Sequence, residues 1–302
     1  MTFLVAGIDG GQSSTIAIVG DEEGRILARG RSGPSDEIGV AADSTRLSDA
    51  LRAALADACR RAALPEDSRF EAIVAGVSGY NDRARGKTPQ LPSPRFLLMH
   101  DAPVAHAGAL GGRPGVVVIA GTGSVVYTRD AGGSEHTYGG WGFLFGDEGS
   151  AFRIASDSLA AMMRAADDGD ASLERETRAA CAFFGLETLR QIGRTFYHRG
   201  ITRDRIAAFA PEALRFERFR PLADRGADRL AELVCRAIRA GGAARVALAG
   251  GVFADEAFRT RLCAAVLATN PATEIVTPRY EPAGGALLLA YRAAGSPVDE
   301  LI

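Results

Sequence analysis

Four short stretches of this 302-residue chain carry side chains able to do chemistry. In the first, "GIDGGQSST" (Gly7 to Thr15), an acid, glycines and three small hydroxyls sit between two apolar runs, Phe3 to Ala6 and Ile16 to Val19. A hairpin needs one glycine or asparagine to turn, and this one carries far more. Glycines let a backbone approach a phosphate closely, and successive N–H groups in a tight turn form an anion cradle. Gly10, Gly11, Gln12, Ser13 and Ser14 make up that candidate cradle. Asp9 would repel a bare phosphate, so an acid there suits a magnesium ion held directly or through water. A plain hairpin with a solvent-exposed Asp-Gly-Gly turn is the alternative. A second turn, Gly121-Thr122-Gly123-Ser124, follows the apolar run Val116 to Ala120 in the same manner, and the recurrence favours phosphate.

The other two stretches combine glycines with acids or with an apolar strand. "GGWGFLFGDEGSAFRIA" (Gly139 to Ala155) holds the only tryptophan, Trp141, and the adjacent acids Asp147 and Glu148 before a helix. Asp147 can be a plain N-cap. Carboxylates beside a small-residue loop are equally suited to accept hydrogen bonds from sugar hydroxyls, with the glycines arranged around a buried aromatic. "LAGGVFADEAF" (Leu248 to Phe258) ends a strand in Gly250-Gly251 and enters a helix. A purine can lie flat on such a backbone, and ordinary strand–helix punctuation looks the same. Gly86-Lys87-Thr88 imitates the end of a P-loop, but the required earlier glycine is Asn81, and Pro89, Pro92 and Pro94 would interrupt the helix that must follow. Lys87, the only lysine, therefore reads as a surface residue.

The elements that must position these residues alternate in type. Apolar segments predict strands at 3–8, 14–19, 25–30, 72–77 and 95–99, with a helix over 44–63. Strands follow at 116–120 and 124–128, helical patterns run from 149 to 241, and strands return at 245–249 and 274–277. An alanine-rich helix from about 282 to 294 closes the chain. Strands interleaved with helices predict an α/β protein. The two halves open alike, in "LVAGIDGGQSSTIAIVGDEEGR" and "VVVIAGTGSVVYTRDAGGSE", which suggests a duplication with a ligand-binding cleft between two similar domains.

With 47% hydrophobic residues the chain can build a sizeable core. Its net charge of −2, with no basic stripe, argues against nucleic acid and anionic membranes as partners. No apolar run reaches the roughly 20 residues that span a bilayer, and Met1 to Leu4 does not read as a secretory signal. Cys59, Cys181, Cys235 and Cys263 are far apart, so a reducing cytoplasm is expected and a cysteine-held zinc or iron–sulfur centre is not.

Taken together, the stretches resemble the sugar-kinase, actin and heat-shock-70 superfamily, and within it the BadF/BadG/BcrA/BcrD-type branch that includes the N-acetylglucosamine kinases. "DGGQSS" is similar to that family's first phosphate motif, "GTGS" to its second, "LAGGVF" to its adenosine motif and "GGWGFLFGDEGSAF" to its amino-sugar signature. The resemblance covers Gly7 to about Leu289. It implies two ribonuclease-H-like (actin-like ATPase) domains flanking a cleft, 1–103 and 104–302, with the final helix, about 283–302, packing back on the first. It implies ATP and Mg²⁺ as cofactors, Gly10, Gly11, Gln12, Ser13, Ser14, Gly121, Thr122 and Gly123 on the phosphates, Gly250 and Gly251 on the adenosine, and Asp9 on the metal. Asp101 in "LLMHDAPVAH" would be the catalytic base, although its own surroundings also allow a cap on a helix starting near Pro103. Asp36, Ser78, Gly79, Asp101, Trp141, Asp147 and Ala151 would meet the sugar. The family segment at Asp36 usually carries an asparagine, and an acid there would favour a cationic amino sugar such as glucosamine. The activity implied is transfer of the γ-phosphate of ATP to the 6-hydroxyl of N-acetylglucosamine. The alternatives are a glucosamine kinase and, from another class, a sugar-independent nucleotide-driven switch; a homodimer remains an open option. The scattered cysteines fit neither the iron–sulfur cluster of this branch's dehydratase activators nor the zinc loop of repressor-type sugar kinases.

Overall fold

A computed structural model describes residues 3–36, 40–65, 67–81, 83–198, 200–241 and 245–302. Met1 and Thr2, part of the N-terminal reading above, lie outside them. In chain order the elements are β1 (Val5–Gly10), β2 (Thr15–Gly20), β3 (Ile26–Ser32), α1 (Arg46–Arg61), β4 (Ala72–Val77), β5 (Phe96–His100) and α2 (Asp101–Leu110). Then come β6 (Gly115–Ala120), β7 (Ser124–Arg129), β8 (Glu135–Gly139), α3 (Ala151–Asp167), α4 (Glu174–Phe184), α5 (Leu189–Tyr197), α6 (Arg203–Ala207), α7 (Ala210–Ala213) and α8 (Arg220–Gly241). The chain ends with β9 (Arg245–Ala249), α9 (Glu256–Thr269), β10 (Glu274–Val276) and α10 (Pro282–Ala293).

Two compact units result: residues 1–117, 131–133 and 276–302 form one, 118–130 and 134–275 the other. By this division α2 lies with the first unit, whereas the sequence reading drew its boundary after residue 103. The first unit's sheet has the order β3-β2-β1-β4-β5, and the second's has β10-β9-β6-β7-β8, the same arrangement by rank along each half. In the first sheet β1 pairs antiparallel with β2 and parallel with β4, β2 antiparallel with β3, and β4 parallel with β5. This is the ribonuclease-H-like order, present twice.

Strand alternation decides which side each residue of the first sheet faces. Ala6 and Ile8 of β1, with Ile73, Ala75 and Val77 of β4, join Leu47, Leu51, Ala54 and Leu55 of α1 in one core. Val5, Ala72 and Val74 face the other way, onto Val104 of α2 and Ala286, Leu287 and Tyr291 of α10. Gly7 lies on this second face, and a Cβ there would collide with the backbone of Ala283 and Leu287. Gly285 meets the backbone of Val104 and Gly108 as closely, so at these two glycines α10 rests directly on the backbone of β1 and α2. The same parity places Asp9, two residues beyond Gly7, on the α2 and α10 side.

The apolar run Val116-Val117-Val118 of β6 is fully buried, and in the second unit α8 brings Ala227, Leu230 and Val234 to the interior, with Phe258, Leu262 and Val266 from α9. Gly149 approaches Gly226 of α8 so closely that a Cβ would come 2.9 Å from its carbonyl oxygen. The structure departs from the expected pattern in two places. β1 runs two residues further, to Gly10, so Asp9 is a strand residue rather than a turn-tip residue. β8 was not expected. The closing helix agrees with the expected span of about 282–294, ending at Ala293, and residues 294–302 lie beyond it. Among the described residues no helix is long and apolar enough to cross a membrane.

Candidate active site

In the first unit the hairpin tip is the four-residue turn Gly11 to Ser14, closed by Gly11 N–H donating to Ser14 O at 3.0 Å. The N–H groups of Gln12, Ser13 and Ser14 donate to no described backbone carbonyl, which leaves three successive donors for an anion. Two other segments are laced to this turn. Ser35 N–H donates to Gly11 O at 3.1 Å and Ser78 N–H to Gly10 O at 2.8 Å. Gly79, which follows, has φ +78°, in the left-handed region that glycine tolerates. A Cβ on Gly10 would collide with Ser35 Oγ, so the bare strand end makes room for that hydroxyl of the β3–α1 connection.

The carboxylates gather beside this turn. Asp9 is partly buried, and burial, with the negative charges of Asp101 and Glu281, pushes its pKa up to about 7. Asp101 is the first residue of α2, and the cap of that helix is His100, whose Nδ1 lies 3.2 Å from Ala102 N. Asp101 is therefore not the capping residue. Its Oδ1 lies 2.8 Å from the same Nδ1. One ring nitrogen cannot accept from Ala102 and donate to Asp101 at once, and the shorter contact favours a protonated Nδ1 donating to the carboxylate. That hydrogen bond raises the His100 pKa. Asp36 is buried and paired with Arg46, Oδ1 to Nη2 at 3.3 Å.

The second unit repeats the theme. Gly121 N–H donates to Gly123 O at 2.9 Å, while the carbonyls of Gly121 and Thr122 accept from Ala151 N (2.8 Å) and Phe152 N (3.3 Å) at the start of α3. The turn thus satisfies helix N–H groups that would otherwise lack partners. The N–H groups of Thr122 and Gly123 make no bond to a described backbone carbonyl. Nothing lies within 4 Å of a Cβ placed on Gly121, so that side of the turn is open.

Asp147 closes the turn from behind. It is 3% exposed, adopts φ +60°, and accepts from Ser124 N–H at 3.3 Å and from Arg203 Nη2 at 2.5 Å. Burial pushes its pKa up, chiefly against the pull of Arg203. Ser150, not Asp147, caps α3, accepting from Arg153 N–H at 3.1 Å. Ser124 Oγ donates to Glu148 O at 2.7 Å, and Glu148 Oε2 is buried without a partner among the described residues. The loop before Asp147 corrects one expectation: Trp141 is 77% exposed rather than buried, beside Leu144 and Phe145, which is 83% exposed. Left-handed glycines at 139, 140 and 142 carry this apolar tip outward.

Gly250 and Gly251 differ in kind. Gly250 has φ +113° and packs against Ala120 so closely that a Cβ would collide with its carbonyl oxygen. Nothing lies within 4 Å of a Cβ on Gly251. One glycine is required by the fold, and the other leaves a flat, open backbone able to face a planar ring. Ala151 opens α3 immediately after the cap.

Among the described residues no three His, Cys, Asp or Glu side chains could form a metal cage. Magnesium needs none, since it keeps several waters and takes one or two carboxylates together with substrate phosphates. Asp9 fits that role, because a cation beside it would offset the burial and the neighbouring negative charges of Asp101 and Glu281 that raise its pKa. Sequence reasoning did not single out His100, Ser150, Arg46 or Arg203. His is not a common cap, and Arg203 is 56 residues from the acid it holds.

A model of the BadF/BadG/BcrA/BcrD ATPase family matches residues 6–290. The N-acetylmuramic acid/N-acetylglucosamine kinase of Clostridium acetobutylicum is 32% identical over 114 residues, 38% of this chain and 37% of its own. The N-acetyl-D-glucosamine kinase of Dictyostelium discoideum is 32% identical over 179 residues, 54% of this chain and 55% of its own. The chain thus spans about a third and about half the length of these curated relatives. A crystal structure from Chromobacterium violaceum, provisionally named an N-acetylglucosamine kinase, superposes with a TM-score of 0.79 at 27% identity, covering 95% of this chain and 99% of the other.

Proposed function

We propose, from the premise that the chain belongs to the BadF/BadG/BcrA/BcrD ATPase family, that it transfers the γ-phosphate of ATP to the 6-hydroxyl of N-acetylglucosamine. The observation that carries the reading is the pairing of Asp9 and Asp101 beside the first glycine turn, close enough for the charge of one to raise the pKa of the other. A metal-binding carboxylate and a proton acceptor next to an anion cradle are what phosphoryl transfer to a hydroxyl requires, since that chemistry depends mainly on positioning and charge neutralisation. The names of the matched relatives agree with it.

In this reading the turns Gly10 to Ser14 and Gly121 to Gly123 hold the phosphates, through the uncommitted N–H groups of Gln12, Ser13, Ser14, Thr122 and Gly123, and Gly250-Gly251 offers its backbone to the adenine. Magnesium would be held by Asp9, directly or through water, and when bound would neutralise phosphate charge. Asp101 Oδ atoms take the proton of the sugar hydroxyl, with His100 Nδ1 holding the carboxylate in place. Asp147, with Glu148 beside it, accepts hydrogen bonds from the ring hydroxyls, and Ser78, Gly79, Trp141 and Ala151 complete the sugar's surroundings.

Asp36 bears on which amino sugar is taken. An unpaired acid would draw a free ammonium group, but Arg46 already compensates this one. The neutral N-acetyl form is therefore favoured over glucosamine. ADP release measured against N-acetylglucosamine, N-acetylmuramic acid, glucosamine, glucose and buffer tests the proposal. It predicts the highest kcat/KM with N-acetylglucosamine. ADP release that ignores every sugar would replace it with the nucleotide-driven switch.

A further inference from the structure

We infer that Arg203 is a positioning residue for the sugar: it fixes the Asp147 carboxylate in place and in its charged form, and ties it to the second glycine turn. The inference rests on the sugar-kinase reading of Asp147 and adds the side chain through which that carboxylate would work.

The geometry is that of a prepared acceptor. Asp147 holds a left-handed backbone at φ +60°, a conformation that costs a non-glycine residue and is kept where the surroundings enforce it. Its two oxygens are divided between partners: Oδ1 accepts from Ser124 N–H, just past the glycine turn, and Oδ2 from Arg203 Nη2 at 2.5 Å. The guanidinium lies over Phe143 at 5.3 Å and over Phe152 at 5.7 Å from the ring centroids, and its side chain is 17% exposed. A Cβ on Gly123 would come 2.6 Å from Arg203 Nη2 and 3.1 Å from both Asp147 oxygens. The turn must therefore carry glycine at that position for the ion pair to sit against it. Phe143 ties the same guanidinium to the loop that presents Trp141.

A clamp that served only to hold α6 against the loop would not need a buried charge. Well-packed apolar pairs of similar size often stabilise as much. What an ion pair supplies in addition is a carboxylate that stays ionised despite burial and keeps lone pairs available for hydroxyl donors. Arg203 is the first among the groups that hold the Asp147 pKa down, with Ser124 N–H and Arg153 helping and Glu148 opposing.

The test is the sugar-dependent rate of ADP release at saturating ATP between about pH 5 and 9, for wild type, Arg203→Met, Arg203→Gln, Arg203→Lys, Asp147→Asn and the Asp147→Asn/Arg203→Met pair. Loss of the guanidinium should raise the sugar KM about tenfold or more and move the acid limb of kcat/KM to higher pH, while the KM for ATP changes little. Arg203→Lys should bring both most of the way back. In the Asp147→Asn background Arg203→Met should have no further effect on sugar KM. A lowered melting temperature with sugar KM and acid limb at their wild-type values would overturn the inference and leave a clamp. Additive losses in the double variant would overturn it too, because Arg203 would then act on the ligand by itself. Should Arg203→Met not fold, Arg203→Gln carries the pH test, and failure of both to fold while Asp147→Asn folds counts for the clamp. Wild-type turnover indifferent to sugar would overturn the underlying reading as well; sugar-dependent turnover with unmoved variants overturns this inference alone.

Discussion

Replacing Asp9 with asparagine should make the nucleotide-free protein more stable at pH 8 and leave it inactive at every pH. Asp9 stands on the face of β1 that looks toward α2 and α10, where burial and the charges of Asp101 and Glu281 raise its pKa from 3.8 to about 7. For an acid whose pKa rises on folding, the sign is as follows. Below about pH 4 both states hold the proton and nothing is lost. Between 3.8 and 7 the unfolded chain releases the proton while the folded one retains it, so stability falls as pH rises. Above 7 the whole penalty is present. At about 1.4 kcal/mol per pH unit the interval amounts to about 4 kcal/mol as a ceiling, and solvent relaxation around a partly buried group reduces it to about 2–4 kcal/mol. Urea unfolding of wild type and Asp9→Asn, followed by circular dichroism at several pH values, reads the difference directly. The two curves should nearly coincide near pH 4 and separate by this amount at pH 8, with the variant the more stable. Mg–ATP should then stabilise wild type by mass action and the variant far less. Equal stability at all pH values, or a variant weaker at pH 8, would refute the argument that this carboxylate is crowded until a cation joins it.

Asp101→Asn should lower turnover by about 10²- to 10⁴-fold, the usual worth of a general base. Its melting temperature should hold, because Asp101 does not cap α2 and asparagine keeps an oxygen that can accept from His100 Nδ1–H; near-normal turnover in the folded variant would remove Asp101 from the mechanism. Gly250→Ala should destabilise by about 2–4 kcal/mol in a thermal melt, from the strain at φ +113° and the collision with the Ala120 carbonyl. Gly251→Ala, with open space around its Cβ, should leave the melt unchanged and raise the KM for ATP instead. Arg46→Met should expose the Asp36 charge and shift the ratio of kcat/KM values toward glucosamine by about tenfold, read from the same ADP-release assay; an unchanged ratio would place Asp36 away from the sugar's amino substituent.

Legibility in the sequence followed burial. Strands with buried, alternating or continuous apolar residues, such as Ala72–Val77, are plain from composition alone. β8 escaped notice because Glu135-His136-Thr137-Tyr138-Gly139 is mostly exposed and offers no apolar alternation. The two glycine turns were visible because glycine and hydroxyl clustering is a local signal. The same holds for Asp9, although β1 proved longer than its apolar run, since pairing with β2 and β4 carries it through Gly10. Trp141 was expected to be buried among its glycines, but Gly139 and Gly140, at positive φ, turn the loop outward. The ion pairs that condition the acids, Arg46 on Asp36 and Arg203 on Asp147, could not be read from spacing. They join residues 10 and 56 positions apart in a chain where arginine supplies nearly all of the positive charge.

The central claim is a transfer of phosphate to one hydroxyl of one class of sugar, and phosphorus NMR of the reaction products tests it most directly. With ATP, magnesium and N-acetylglucosamine, the account predicts that ADP and N-acetylglucosamine 6-phosphate appear in equal amounts, identified by coupling of the new phosphorus signal to the sugar's C6 protons. Inorganic phosphate accumulating in place of a sugar ester, at the same rate with and without N-acetylglucosamine, would contradict it.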